Sequence, residues 1–200
     1  MKKFLATLLS LCMVFALSAT AFAAEIDADG GSGSTPVYLT STADGTLDGE
    51  PAATAMSVTL PTALPMAVSQ SGDVTTADNC QIINHSYGAV RVKSVTITAA
   101  NGWKLTAFGD KSTLAKEKVN SNKLGFALSI GGGAQVKTDA SDAAAQTLID
   151  APIPGCYLSG SGDAIASAVS VNYAAIVTPL SAAVQNANIA NVIFVVEWDT

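Results

Sequence analysis

Apolar residues recur at every second position in a series of short segments, and that period decides what the chain can build. Met56, Val58 and Leu60 alternate with Ser57 and Thr59; Leu64, Met66 and Val68 alternate with Ala63, Ala67 and Ser69. A period of two puts one face on a core and the other in water, so each segment reads as a half-buried strand. Pro61 and Pro65 cannot donate to a ladder, which places these strands at an edge or a bend. Residues 74–83 add one or two strands. Turn signals separate the segments: Gln70-Ser71-Gly72-Asp73, Asn84-His85-Ser86-Tyr87-Gly88, the hairpin signal Asn101-Gly102, and Gly131-Gly132-Gly133 between 124–130 and 134–138.

Residues 89–99 carry a phase shift. Val90 and Val92 share one parity and Val95 and Ile97 the other, with the change across Lys93-Ser94. A β-bulge produces such a shift, and so does a strand crossing between sheets. Trp103, Leu105 and Ala107 share a face, as do Ile165, Ser167, Val169, Val171 and Tyr173. In the last strand Val192, Phe194, Val196 and Trp198 point inward, while Glu197 and Asp199 alternate outward. Residues 109–123 read as a lysine-rich loop. The best helix candidate is 139–149 (DASDAAAQTLI), with Ser141 as its cap and its alanines favouring helix. About ten short strands and one short helix predict an all-β fold, an antiparallel β-sandwich of jelly-roll or immunoglobulin-like type.

The N-terminus predicts export. Lys2 and Lys3 precede an apolar run over 4–17, and Ala21-Phe22-Ala23 is an A-x-A cleavage site, so 1–23 reads as a signal peptide. Cys12 lies within the apolar run after Leu11, the wrong context for lipidation. Residues 24–36 form a polar, flexible leader. The single sandwich domain is expected over 37–200, opening on a short strand of Val37, Tyr38 and Leu39. Cleavage removes two of the 10 basic residues and none of the 16 acidic ones, which leaves a net charge of −8. That balance argues against nucleic acid as a partner. Residues 164–196 carry no charge, but their many Ser, Asn, Gln and Pro residues suit strands and a loop better than a membrane span. No membrane insertion is expected after cleavage.

Two cysteines remain in the exported chain, Cys80 and Cys156. Export is disulfide-permissive and an even count predicts one bridge between them. The alternative is two buried thiols acting as small hydrophobes. Two cysteines without a matched second pair do not make a zinc site, and a histidine-based metal centre has no second histidine beside His85. His85 lies in a turn, with no G-x-S-x-G elbow for a serine nucleophile. There is no phosphate-binding loop. Only 13% of the residues are charged, and most of the acids lie in loops. The chain reads as a non-enzyme with no catalytic residues, no cofactor and no metal.

One resemblance adds to this reading. It rests on Ser57-Val58-Thr59-Leu60-Pro61-Thr62 with Leu64-Pro65, Gly72-Asp73-Val74-Thr75-Thr76, Ile82-Ile83-Asn84-His85-Ser86, Val90-Arg91-Val92 and Gly102-Trp103. This pattern resembles small secreted surface proteins of Gram-positive gut-type bacteria. More distantly it resembles TasA/camelysin-type matrix proteins and WxL-type surface domains. It spans 37–105 and the final strand. The resemblance implies a β-sandwich exported to the cell surface or a biofilm matrix, and it implies no catalytic residue; the chain lacks the H-E-x-x-H of a metallopeptidase. The expected function is structural: a secreted surface or matrix protein that assembles by strand addition, with the strand of Val37, Tyr38 and Leu39 as donor. The alternative is an adhesin or glycan-binding module without catalysis. Its expected partners are other copies, other surface proteins or glycans.

Overall fold

A computed structural model describes residues 56–160 and 167–200, all within one unit, Ser41–Thr200. The signal peptide, the leader and the strand of Val37, Tyr38 and Leu39 lie outside the described residues, as does Ile165. In chain order the elements are β1 (Val58–Thr59), β2 (Met66–Val68), β3 (Val74–Thr76), β4 (Gln81–Asn84), β5 (Val90–Ala99), β6 (Lys104–Thr106) and α1 (Lys111–Ala115). Then follow β7 (Lys123–Ile130), β8 (Val136–Lys137), β9 (Ser141–Ala143), β10 (Ala145–Ile149), β11 (Tyr157–Leu158), β12 (Ser167–Val177) and β13 (Ala190–Trp198). The fold is all-β with one short helix.

The strands form a seven-stranded sheet in the order β1-β4-β12-β7-β6-β9, with β8 also on β7, and a four-stranded sheet around β5. β2 and β3 make a separate hairpin. Both larger sheets feed one core. Ile82, Leu105, Leu124, Phe126, Leu128, Ile130, Val171 and Tyr173 come from the first, and Val90, Val92, Val95, Ile97, Ile149 and Leu158 from the second. Tyr173 stacks on Phe126 with ring centroids 6.1 Å apart. Its hydroxyl donates to the Pro65 carbonyl and accepts from the Ala77 N–H, while Thr76 Oγ1 donates to the Tyr173 carbonyl. Those bonds tie the β2–β3 hairpin to β12, and burial raises the Tyr173 pKa. On the other face of the large sheet, α1 lies against β12, and Leu114, Ala127 and Ile176 are buried there.

Buried polar side chains hold the irregular junctions. Thr138 Oγ1 accepts from the Phe126 N–H and donates to the Thr106 carbonyl at 2.6 Å, so one hydroxyl links β6, β7 and the end of β8. Asn84 is fully buried; its amide donates to the carbonyls of Gly88 and Ser159, and its Oδ1 accepts from the Ser86 N–H. A buried polar group is stable only when paired, and these pairs explain why Asn and Thr sit inside an apolar core.

The expected period-two segments are strands, and the phase shift in β5 is a bulge. Ser94 pairs with Val195 and Val92 with Val196, so Lys93 is the extra residue. The bulge restores the phase, and Val90, Val92, Val95 and Ile97 are all buried in the same core. The Gly-rich hairpin is also present, with Ala127 opposite Lys137 and Leu128 opposite Val136.

Four expectations need correction. Residues 139–149 are not a helix but β9 and β10. Helix propensity is worth under about 1 kcal/mol per residue, and this segment has too few large apolar residues for a buried helical stripe. As a strand, β10 satisfies its backbone against β5 and seats Ile149 in the core opposite Val95. The helix instead lies in the expected 109–123 loop, where Asp110 Oδ1 caps α1 by accepting the Ser112 N–H at 2.8 Å. Asn101-Gly102 is a turn with two positive φ angles, but it joins no hairpin; it passes the chain from β5 in one sheet to β6 in the other. The large sheet is not wholly antiparallel, because β6 runs parallel to β7.

The β7–β8 turn packs tightly against the chain entering β11. Gly155 has φ +96°, and a Cβ there would lie 2.0 Å from the Ile130 carbonyl oxygen; at Gly132, φ +72°, nothing lies within 4 Å. Gly155→Ala is expected to destabilise the protein by more than about 3 kcal/mol through backbone collision and strain. Gly132→Ala is expected to cost about 1 kcal/mol from φ alone. Urea unfolding of both variants separates the two causes.

Candidate assembly surface

The feature with the clearest capacity for interaction is β13. It pairs with β5 along its whole length, from Ala190 opposite Ala99 to Trp198 opposite Val90. β10 and β11 share the other edge of β5. Among the described residues no strand pairs with the outer edge of β13. At nine residues β13 is far longer than β1, β9 or β11, whose outer edges are also open.

The inward face of β13 is apolar, and so is the middle of its outward face between Asn191 and Glu197. Val192, Phe194, Val196 and Trp198 pack on the core yet remain only partly buried. Gly88 lies beneath the Trp198 ring, where a Cβ would meet Cζ3 at 3.0 Å. On the opposite face Ile193 is 52% exposed and Val195 43%. Natural edge strands are usually blunted by charge, proline, a bulge or brevity. β13 has no charge before Glu197, no proline, and no extra residue of its own, since the bulge belongs to β5.

Ion pairs gather at one end of this edge. The Arg91 guanidinium donates to Glu197 at 2.9 Å and reaches Asp199 at 3.2 Å, and Lys93 Nζ reaches Glu197 at 2.8 Å. Two cations on one face of β5 thus meet one carboxylate. Hydrogen bonding from Lys93, then Arg91, holds the Glu197 carboxyl below its ordinary value, and Glu197 raises the Arg91 pKa. These groups are solvated, so the pairs contribute little to stability; their consequence is a strand end without net unbalanced charge.

The other sequence-derived sites fall elsewhere. Cys80 and Cys156 are not bridged: both are buried free thiols. The Cys80 carbonyl accepts from the Val171 N–H in the large sheet, whereas Cys156 accepts from the Val92 N–H in the small one. Each thiol fills core space on its own sheet, and burial raises the Cys156 pKa. His85 Nε2 lies 3.0 Å from Thr59 Oγ1, in the turn after β4. Glu197 and Asp199 do face outward, as expected, but as partners of Arg91 and Lys93. Trp103, Phe194 and Trp198 pack against the core, while Tyr87 and Tyr157 are 57% and 47% exposed. Among the described residues no group of three or more His, Cys, Asp and Glu could hold a metal ion, and no helix is long and apolar enough to cross a membrane. The sequence reading found the inward face of β13 and missed Ile193 and Val195. The uncharged run over 164–196 was the available signal.

No family model, curated protein or solved structure matches this chain.

A carboxyl with a lowered folded pKa contributes stability that is complete above the ordinary value, about 4.3 for Glu, and is lost as pH falls through the folded value. The melting temperature of Glu197→Gln should thus fall less than that of the parent as pH drops below about 4.3. Iodoacetamide in denaturant without reductant should label both Cys80 and Cys156; a bridged pair would take no label. Without denaturant both thiols should react far more slowly.

Proposed function

We propose that this chain is a secreted structural protein of the cell surface or extracellular matrix that self-assembles by strand addition. The observation that supports this reading is the nine-residue, largely apolar edge of β13, which no strand among the described residues covers. Unpaired N–H and C=O groups along such an edge are a template for another strand, and main-chain bonding supplies affinity without a dedicated pocket. The signal-peptide pattern of 1–23 supports export, and the resemblance to secreted surface proteins agrees with it. In this reading the two sheets form a β-sandwich, and the chain acts without catalysis, cofactor or metal. The strand of Val37, Tyr38 and Leu39 is the donor that carries growth from one copy to the next.

A second reading is favoured by the exposed rings of Tyr87 and Tyr157. Exposed aromatics with polar tips suit recognition of a glycan or a surface protein. In this case the chain is an adhesin, and binding on a glycan array would be lost in the Tyr87→Ala/Tyr157→Ala variant.

Electron microscopy and light scattering of the purified protein decide the first reading. Particles should grow with concentration, and deletion of 24–40 should stop that growth. A monomer at every concentration and pH overturns self-assembly.

A further inference from the structure

We infer that the outer edge of β13, unpaired among the described residues, is filled by β13 of a second copy, antiparallel, about a two-fold axis at Phe194. This rests on the self-assembly reading above and names the contact that reading leaves open.

The hydrogen-bond phase of the edge comes first. The Ala100 N–H donates to the Ile189 carbonyl at 2.9 Å at one end of the β5–β13 ladder. The Asp199 N–H donates to the Ala89 carbonyl at 3.0 Å at the other. In an antiparallel pair the bonded positions alternate, and β13 carries no extra residue to break that alternation. Its odd-numbered residues therefore bond to β5. The N–H and C=O groups of Ala190, Val192, Phe194, Val196 and Trp198 point away from β5, towards the open edge.

A second β13 meets those groups only if even-numbered residues oppose even-numbered residues. A two-fold axis at Phe194 does this at every step. Phe194 opposes its own copy, Val192 opposes Val196, and Ala190 opposes Trp198, small against large. On the outward face the exposed Ile193 opposes the exposed Val195. Asn191 opposes Glu197, whose charge Arg91 and Lys93 already balance.

Shifting the axis breaks this match. An axis at Ile193 sets Asn191 against Val195 and an axis at Val192 sets it against Ile193; both leave Trp198 without a partner in β13. An axis at Val195 sets Glu197 against Ile193 and an axis at Val196 sets it against Val195, an ion beside an aliphatic side chain in each case. Cross-strand pairs of like character stabilise a sheet, so the Phe194 register is the one this sequence favours. The contact is the same patch on both copies and closes as a dimer. Growth beyond two copies then needs a different contact, for which the leader strand is the candidate.

Ile193 and Val195 are exposed, so changing them tests the contact without emptying the core. The Ile193→Lys/Val195→Lys and Ile193→Glu/Val195→Glu variants set like charges opposite each other across the axis. Sedimentation velocity should show the parent dimerising at micromolar concentration. Each variant should weaken the dimer at least about tenfold, with an unchanged far-ultraviolet circular dichroism spectrum. An equimolar mixture of the two variants should recover the dimer, because introduced lysines then face introduced glutamates. Deleting 24–40 should leave the dimer intact. If the lysine variant associates as strongly as the parent, or the mixture fails to recover, or the deletion abolishes the dimer, the β13 contact is overturned while self-assembly stands. A parent that is monomeric throughout overturns both.

Discussion

Strand β5 is the member on which the small sheet depends, and the bulge at Lys93 is what lets it serve. A ten-residue strand that kept one alternation could bury Val90 and Val92 or Val95 and Ile97, but not both pairs. The extra residue resets the phase, and all four side chains enter one core. Removal of four such side chains from water is a stabilisation on the order of 6 kcal/mol or more. Three strands then hang on β5: β10 and β11 on one edge and β13 on the other.

The character of the surface follows from that arrangement. Because β10 and β11 divide one edge of β5, β13 takes the whole of the other and has nothing beyond it among the described residues. Arg91 and Lys93 share the outward parity of β5 next to the bulge, and both meet Glu197. The bulge organises the inner face through four aliphatic side chains, and an ion cluster lies beside it on the outer face. Strand pairing at an edge of this kind uses backbone groups and side-chain register.

Much of the strand content was legible because the period of two is a local property. Val90, Val92, Leu124, Leu128, Val171 and Phe194 each announce their face by their neighbours in sequence. The misread parts were those where the partner decides. The alanines of 143–145 favour helix alone, but β5 and the core pocket for Ile149 make the segment a strand. Asn101-Gly102 has hairpin chemistry, yet the strands it joins belong to different sheets. Cys80 and Cys156 count as a pair in sequence and are two separate thiols in space. The exposed face of β13 was half legible: the absence of charge was visible, and the absence of a neighbouring strand was not.

Spacing and composition alone carry the short alternating strands, the phase shift across Lys93-Ser94, and a content of one histidine and 13% charged residues. These are properties of spacing and composition, which no folding step can alter. Which strands are neighbours, that β6 runs parallel to β7, and that no described strand lies beyond β13 are matters of the folded arrangement. Pairing is a long-range choice made by the fit of many side chains at once, and no single segment contains the information about what lies beside it.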